Sequence, residues 1–355
     1  MRRFLPALLL AAIGCGKARE EDVPPPASAR PPAPSGAPAS APPEKPAPPP
    51  AARKVLAGLV APVGPLGTPT RVRTLTIDRP GVYENYLVDA EFAPQDAVRI
   101  KADRVVLRHC EIRNGARDGI EVYASDVLIE NCRIHHFLNG SFAPHLDAHG
   151  ITGQPTRLTI RNCEISYVSG DCVQFDPGRK PWTDVVIENC VFFTGPLPEA
   201  AGGFKKGERP GENAVDTKQS ASHPRSRLTI RDTVCHGWQQ PAQIENMSAL
   251  NLKNHVDAKV ERCVFYDNEI SLRLRGPQGG ADGFGGAWVT AEDCAFYSSV
   301  VAVRLEDRIE NTRILNPRYG PGVKERVTGD RKTGPGTRVD TGSDAPPLAT
   351  LLGRE

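Results

Sequence analysis

A short motif that recurs from about residue 104 onward constrains the fold of this 355-residue chain more than any other feature. The motif occurs as VVLRHCEI, VLIENCRI, LTIRNCEI, VVIENCVF, LTIRDTVC, AKVERCVF, VTAEDCAF and RIENTRIL. Alignment of these segments places small side chains in one column, at Cys110, Cys132, Cys163, Cys190, Thr233, Cys263, Cys294 and Thr312. Successive members are 18 to 43 residues apart, which indicates strands of constant length joined by loops of unequal length.

A second short strand follows each of the first seven motifs, and these six-residue segments also align without gaps: DGIEVY, HGITGQ, DCVQFD, NAVDTK, SALNLK, ISLRLR and VAVRLE. Repeated short strands without helix-length amphipathic segments between them are typical of a β-solenoid. We therefore predict an all-β fold, a single-stranded right-handed parallel β-helix over residues 55–316. Residues 317–355 have little periodicity and are interpreted as a C-terminal cap and flexible tail.

The cysteine column is best explained by packing. Small apolar thiols stacked along one line fill a repeated interior position. Stacked neighbours with parallel side chains fit disulfide geometry poorly, and the spacing does not resemble a zinc-binding CxxC pair. A disulfide framework and a zinc site remain the alternatives, and the roles of Cys172 and Cys235, outside the column, stay open.

The first residues, MRRFLPALLLAAIGC, combine two arginines, a short apolar run and a small residue before Cys15. This pattern predicts a signal peptide over residues 1–14, and the run AIGC resembles a bacterial lipobox, which implies lipidation of Cys15. An ordinary cleaved signal is the alternative. Residues 24–50 contain 13 prolines and 7 alanines, so residues 15–54 are expected to form a disordered tether. We expect an exported, membrane-anchored lipoprotein on the periplasmic or outer surface side of the outer membrane.

The net charge of the chain indicates which classes of binding partner to expect. A formal net charge of +2 lacks the concentrated basic surplus that phosphate recognition needs, so we expect no nucleic-acid partner. We expect the protein to be a monomer.

The six-residue segments also predict a functional face. Their third and fifth positions are apolar and should face the core, so the fourth and sixth should face solvent. The fourth positions are Glu121, Thr152, Gln174, Asp216, Asn251, Arg273 and Arg304. The sixth positions are Tyr123, Gln154, Asp176, Lys218, Lys253, Arg275 and Glu306.

On this face, carboxylates in the middle coils lie below a basic run of lysines and arginines. Like charges on consecutive coils repel unless an anion bridges them, so we predict an anionic polymer along the face. Its binding residues would be Gln174, Asn251, Lys253 and the loop residues Lys205 and Lys206. The alternative is a set of solvated ion pairs, each of little energetic consequence.

At GENAVDTK (residues 211–218), and at LTIRDTVCHGW and SLRLRGP, the chain resembles the pectate-lyase-like superfamily of right-handed β-helix proteins. The resemblance implies a polysaccharide lyase that cleaves an acidic, uronate-containing polymer by β-elimination. It implies Lys218 as the catalytic base, with Arg273 or Arg275 neutralising the substrate carboxylate. It also implies Ca²⁺ as a cofactor, held by Asp171, Asp176, Asp216, Asp147 and Glu212. Without a metal ion, Lys218 and Asp176 are expected to form an ion pair.

Three other functions remain open at this stage. A glycoside hydrolase of the same fold could use Asp176 and Asp216 as its two carboxylates, although the chain has no Asp-Asp pair. A uronan C5-epimerase is suggested by APHLD at residues 143–147, but His145 and His149 are interpreted as structural. A non-catalytic surface lipoprotein would bind glycan and tolerate the loss of Lys218.

Overall fold

The computed structural model describes residues 57–140, 147–178, 180–242, 244–277, 285–329 and 333–353. They belong to one compact unit, Arg53–Glu355. The predicted signal peptide, Cys15 and tether, and also His145, lie outside the described residues. Within the described ranges, every pairing between the strands β1 to β29 is parallel, and these strands form a 19-stranded and a 10-stranded sheet. The predicted right-handed parallel β-helix is therefore confirmed.

Each regular coil contributes one strand to each of three ladders. The first ladder contains β3 (Gly81–Glu84), β6 (Val105–Arg108), β9 (Ser125–Glu130), β12 (Thr156–Arg161), β15 (Thr183–Glu188), β18 (Ser226–Arg231), β21 (Val256–Glu261), β23 (Trp288–Glu292), β25 (Thr312–Leu315) and β28 (Arg338–Val339). The second contains β1 (Thr70–Val72), β4 (Tyr86–Asp89), β7 (Glu111–Gly115), β10 (Arg133–Phe137), β13 (Glu164–Val168), β16 (Val191–Phe193), β19 (Val234–His236), β26 (Arg318–Tyr319) and β29 (Ser343–Asp344).

The third ladder carries the six-residue segments. It contains β2 (Leu75–Ile77), β5 (Val98–Ile100), β8 (Ile120–Val122), β11 (Ile151–Gly153), β14 (Val173–Phe175), β17 (Asn213–Thr217), β20 (Ser248–Leu252) and β27 (Glu325–Gly329). Two long strands, β22 (Val264–Arg275) and β24 (Ala295–Glu306), belong to both the second and the third ladder.

The bend between the first and second ladders explains the polar residue before each cysteine. Asn131, Asn162, Asn189 and Asp232 have φ values of 54°, 48°, 54° and 50°. Asn and Asp tolerate this left-handed conformation better than other side-chain-bearing residues. The sequences ENC, RNC and RDT therefore encode a sharp turn of the chain, repeated coil after coil.

The thiol column lies in the core as predicted. Its six cysteines are buried, and all eight described cysteines are free, including Cys172 and Cys235. Cys163 Sγ lies 3.3 Å from the Arg161 carbonyl oxygen. At the equivalent place Thr233 Oγ1 donates to the Arg231 carbonyl oxygen at 2.9 Å, so the hydroxyl repeats the contact of the thiol. The packing interpretation is confirmed for these residues.

One member of the column was misaligned. Thr312 pairs with Val289 at the start of β23, not with Cys294. The coil after Cys294 places Pro317 at that position, because Arg318 pairs with Ala295 and its N–H donates to the Cys294 carbonyl oxygen. Thr312 is nevertheless buried.

Both ends of the solenoid are built from short elements. In the first coils, the strands β1 to β5 are three or four residues long. Parallel pairing continues beyond residue 316 through β26 to β29, and a four-residue helix α1 (Leu348–Leu351) follows. Among the described residues, no helix has the length and apolar character needed to cross a membrane.

The outer side of the first ladder is covered by ion pairs between neighbouring coils. Arg157 pairs with Asp126 and Arg227 pairs with Asp184. A second row pairs Arg161 with Glu130 in the same way. Exposed pairs of this kind contribute little to stability, because solvent screens them. This side of the molecule neutralises its own charge.

Candidate functional site

The register of the third ladder places the predicted face residues on consecutive coils. Thr152 pairs with Gln174, Gln174 with Asp216, and Asp216 with Asn251. The column continues through Arg273. The gapless alignment of the six-residue segments is therefore correct for these strands. The expectation that their fourth positions face solvent is wrong in the middle coils, because Thr152, Gln174, Asp216 and Asn251 are buried. These side chains form a continuous polar row that is largely covered by the long side chains of the sixth positions and by the loops.

A lysine–aspartate cluster, formed by Gln174, Asp176, Asp216, Lys218 and Lys253, lies in the middle of this face. Lys218 Nζ donates to Gln174 Oε1 at 2.9 Å and lies 3.4 Å from Asp176 Oδ1 and 3.8 Å from Asp216 Oδ2. Lys253 Nζ lies 3.1 Å from the same Asp216 oxygen. Gln174 Nε2 in turn donates to Asp176 Oδ2 at 2.8 Å. The two ammonium groups therefore share one carboxylate.

Burial controls the electrostatics of Asp216, which is 2% exposed. Its burial raises the pKa of the carboxyl above the ordinary value, although Lys253 and Lys218 oppose the shift. Burial by itself lowers the pKa of Lys218, but the charges of Asp216 and Asp176 outweigh it and raise this pKa above the ordinary value. Lys218 is therefore protonated at neutral pH in this arrangement, and its ion pair with Asp176 is the one expected without a metal ion.

The basic run above the cluster is neutralised by protein carboxylates. Arg273 Nε lies 3.0 Å from Glu306 Oε2, and Arg275 Nε lies 3.0 Å from Asp307 Oδ2. With Lys253 held by Asp216, like charges on consecutive coils need no bridging anion. Contrary to the expectation from the sequence, the charges of this run therefore give no evidence for a bound anion.

A polar ladder missed by the sequence analysis runs along the first positions of the six-residue segments. His149 Nδ1 lies 3.0 Å from Asp118 Oδ1, and His149 Nε2 lies 3.8 Å from Asp171 Oδ2. Asn213 Nδ2 donates to Asp171 Oδ1 at 2.7 Å, and Ser248 Oγ donates to Asn213 Oδ1 at 2.8 Å. These five side chains connect five successive coils. The sequence signal was the unbroken run of polar residues at the first position.

The ladder connects to the lysine–aspartate cluster through Asp171, which is fully buried. Burial and the charge of Asp216 raise the pKa of Asp171 well above its ordinary value. Burial lowers the pKa of His149, but the hydrogen bond and charge of Asp118 and the charge of Asp171 outweigh it and raise this pKa to about 9. His149, interpreted as structural from the sequence, therefore lies as a cation between two aspartates.

The geometry of the predicted calcium ligands favours metal binding in one respect and opposes it in two others. Three of the five keep a buried carboxylate oxygen without a hydrogen-bond partner among the described residues: Asp147 Oδ1, Asp171 Oδ2 and Asp216 Oδ1. However, in the part of the chain that the structure describes, no three His, Cys, Asp or Glu side chains converge closely enough to hold a metal ion. Lys218 and Lys253 also occupy the space beside Asp216. These residues do not fit calcium as they stand, and calcium remains a prediction.

The remaining predicted residues lie around the cluster. Asn251 is 5% exposed on the coil above Asp216, and its Oδ1 has no hydrogen-bond partner among the described residues. Burial and repulsion by Asp147 and Asp216 raise the pKa of Glu212. Lys205 and Lys206 are exposed on the loop before β17. Neither lysine forms an ion pair with the described part of the chain.

Comparison with known proteins identifies similar solved structures. Pectate lyase Pel9A is 13% identical to this chain with a TM-score of 0.45, and the superposition covers 79% of this chain and 67% of the pectate lyase. An alginate lyase from Paenibacillus sp. str. FPU-7 is 11% identical with a TM-score of 0.49, and the superposition covers 79% of this chain and 90% of the alginate lyase. An endo-xylogalacturonan hydrolase from Aspergillus tubingensis is 12% identical with a TM-score of 0.39, covering 75% of each chain.

No family model matches the chain, and no curated protein sequence is significantly similar to it. All three TM-scores are below 0.5, so the function has to be derived from the side chains of this protein. The parallel β-helix, established by the strand pairing of the chain itself, is the fold that its resemblance to the pectate-lyase-like superfamily implied.

Proposed function

We propose that this protein is an enzyme that cleaves a uronate-containing polysaccharide by β-elimination on the third-ladder face. One observation carries the proposal: Lys218 Nζ lies within 4 Å of Gln174, Asp176 and Asp216 in the middle of that face. The first ladder, by contrast, pairs its charges along an exposed surface. A half-buried cluster of opposite charges beside buried, unpartnered oxygens is typical of a functional site.

The reaction assigns a distinct role to each part of the cluster. Lys218, as a neutral amine, takes the C5 proton of the uronate, the C4–C5 double bond forms, and the C4–oxygen bond breaks. The leaving oxygen takes up a proton from solvent. Lys253 lies one coil above Lys218 and would bind the substrate carboxylate, whose charge increases as the proton leaves.

The resting protonation state of Lys218 makes this mechanism depend on pH. A protonated lysine cannot accept a proton. Since Asp216 and Asp176 raise its pKa above the ordinary value, the neutral fraction increases only toward alkaline pH. Elimination should therefore become faster as the pH rises above neutrality.

A second candidate function is hydrolysis, and a specific observation favours it. The pKa values of Asp216 and Glu212 are raised, and this is the direction of shift that a general acid toward a glycosidic oxygen needs. This mechanism has the opposite pH dependence, because raising the pH removes the acid. It also leaves no double bond in the product.

The test is an assay of the purified protein on a panel of uronate polymers between pH 5 and pH 10. The expected result is ultraviolet absorbance from an unsaturated product, with a rate that increases with pH. Lys218→Ala should reduce the rate by at least about a hundredfold, the lower end of what a general base contributes. Lys259→Ala, on the outer side of the first ladder, is the matched control and should retain the rate.

Each alternative has its own outcome. Chain shortening without ultraviolet absorbance, fastest at acidic pH, would replace elimination by hydrolysis. Inversion at C5 without shortening would indicate an epimerase. Polymer binding without any reaction, unchanged in Lys218→Ala, would indicate a non-catalytic glycan-binding protein.

Calcium dependence belongs to the same proposal and is tested separately. Calcium binding would require the ammonium groups of Lys218 and Lys253 to move away from Asp216. The buried unpartnered oxygens of Asp171 and Asp216 would then be the oxygen ligands that hard cations prefer. Activity that is lost on chelation and restored by Ca²⁺, but not by Mg²⁺, would establish it. Full activity in the presence of a chelator would remove calcium from the proposal.

A further inference from the structure

A cavity of about 250 Å³ lies between two loops that lead into the third-ladder face. One wall comes from residues 204–209, in the loop that precedes β17, and the other from Pro241 and Ala242, which precede β20 on the next coil. Its lining combines apolar and charged groups: Phe204, Gly207, Glu208, Arg209, Pro241 and Ala242. The cavity is slightly smaller than the range of about 300–1,000 Å³ typical for drug-sized ligands, which suits one sugar ring.

Hydrogen bonds within each loop shape the walls of this cavity. The Leu197 N–H donates to the Glu208 carbonyl oxygen and the Gly207 N–H to the Leu197 carbonyl oxygen, both at 2.9 Å. On the opposite wall, Gln240 Oε1 accepts from the Ala242 N–H at 2.9 Å. A Cβ on Gly195 would lie 2.9 Å from Arg209 Cγ, so the arginine stem packs directly on backbone. The cavity is therefore preformed.

Arg209 distinguishes this cavity from an apolar gap. Its Nε atom is buried and has no hydrogen-bond partner among the described residues, and no carboxylate of that part of the chain forms an ion pair with the guanidinium. An unpaired, partly buried guanidinium is unfavourable, and a carboxylate is the ligand that matches its planar donors. By comparison, Arg273 and Arg275 on the face both have carboxylate partners.

The position of the cavity relates it to the proposed substrate. Arg209 precedes by four residues Asn213, the first residue of β17, the strand that carries Asp216. Pro241 and Ala242 precede β20, which carries Asn251. The cavity therefore borders two of the three coils that hold the lysine–aspartate cluster, at the N-terminal ends of the third-ladder strands β17 and β20.

We propose that this cavity is a specificity subsite that binds one acidic sugar unit of the polymer through its carboxylate and Arg209. Glu208 accepts hydrogen bonds from the sugar hydroxyls, and Pro241 and Ala242 contact the apolar face of the ring. The proposal rests on the proposed polysaccharide substrate. It adds a site away from the reacting bond that selects charged over neutral or esterified units.

The experiment measures binding of defined trisaccharides to the full chain in a Lys218→Ala background, which stops turnover. The probes are trisaccharides of galacturonate, glucuronate, mannuronate and guluronate, each as the free acid and as the methyl ester. At least one acid should bind more tightly than its ester. Arg209→Gln should weaken binding of that acid by at least about tenfold, as loss of a charge-assisted hydrogen bond predicts, and reduce the acid-to-ester ratio by the same factor.

Arg79→Gln is the matched control, because Arg79 is exposed in the first coils, and it should bind like the parent. If Arg209→Gln fails to fold, the acid-to-ester ratio in Arg209→Lys provides the same test. Equal binding by the Arg209 and Arg79 variants, or binding of no uronate trisaccharide, would overturn the subsite. An Arg209 effect on binding, together with no cleavage by the native protein, would overturn the proposed function and leave the subsite standing.

Discussion

The Glu111 carboxylate lies 3.3 Å from Nε2 of His135 on the next coil of the second ladder. Arg113 on the same strand as Glu111 adds a contact of 2.8 Å. The hydrogen bond from His135 lowers the pKa of Glu111 most, burial opposes it, Arg113 lowers it further, and the resulting value is about 2. This network ties neighbouring coils together outside the proposed site.

We predict that Glu111→Gln lowers stability at pH 7, by an amount on the order of 1–3 kcal/mol. The folded-state pKa is below the unfolded value, so the contribution is present above about pH 4.5 and is lost as the pH falls toward about 2. Urea unfolding at pH 7 and pH 3 measures this, and the difference from the parent should shrink at pH 3. Glu325→Gln, at an exposed position, is the control. A difference that does not change with pH would argue against the network.

A second prediction concerns Asp176, whose charge helps to raise the pKa of Lys218. Asp176→Asn should lower that pKa, so the alkaline rise in kcat/KM should move to lower pH. The pH–rate profile measures the shift. Asp184→Asn, on the first ladder, should leave the profile unchanged. A shift to higher pH would show that Lys218 is not the titrating base.

The thiol column gives a third prediction, about stability. Thr233 shows that a hydroxyl can replace the thiol and donate to the carbonyl two residues earlier. Cys163→Thr should therefore be more stable than the isosteric Cys163→Val, by about 1 kcal/mol, because valine leaves the Arg161 carbonyl without this donor. Chemical denaturation of both variants provides the measurement. Equal stability would mean that the column depends on volume alone.

A fourth prediction concerns the lipid anchor at Cys15, which lies outside the described residues. We expect Cys15→Ser to release the protein from the membrane fraction, because the lipid attached to the cysteine would supply the anchor. Cell fractionation with detection of lipid incorporation measures this. Membrane association that survives the substitution would favour an ordinary cleaved signal and another mode of attachment.

The repeat made the fold predictable because each coil applies the same rule: an apolar strand, a polar residue in the left-handed conformation, and a small buried side chain. The error at Thr312 shows the limit of such a rule. Asn311 and Asn316 both have positive φ, 50° and 48°, so two consecutive stretches carry the same local turn signal. Only the pairing of Thr312 with β23 shows that the turn at Asn316, and not the turn at Asn311, continues the cysteine column.

The sequence was sufficient to predict which residues of the site occupy equivalent positions on successive coils. It was not sufficient to predict which side chains contact one another. Register alone placed Gln174, Asp216 and Asn251 on successive coils. The ion pair of Arg275 with Asp307, on the next coil and one position beyond the face segment, could not be read from an alignment. The unpartnered Arg209 depends on the closure of a long loop, which the repeat does not specify.

The constant register and the unequal loops together have an evolutionary consequence. Because equivalent strands of every coil meet in the same alignment, duplication or loss of a whole coil would rejoin matching edges and preserve the core. Mutations in loops such as residues 194–212 change the neighbourhood of the face without disturbing the packed thiols. Selection for a new binding specificity can therefore act on the loops while the scaffold is inherited unchanged.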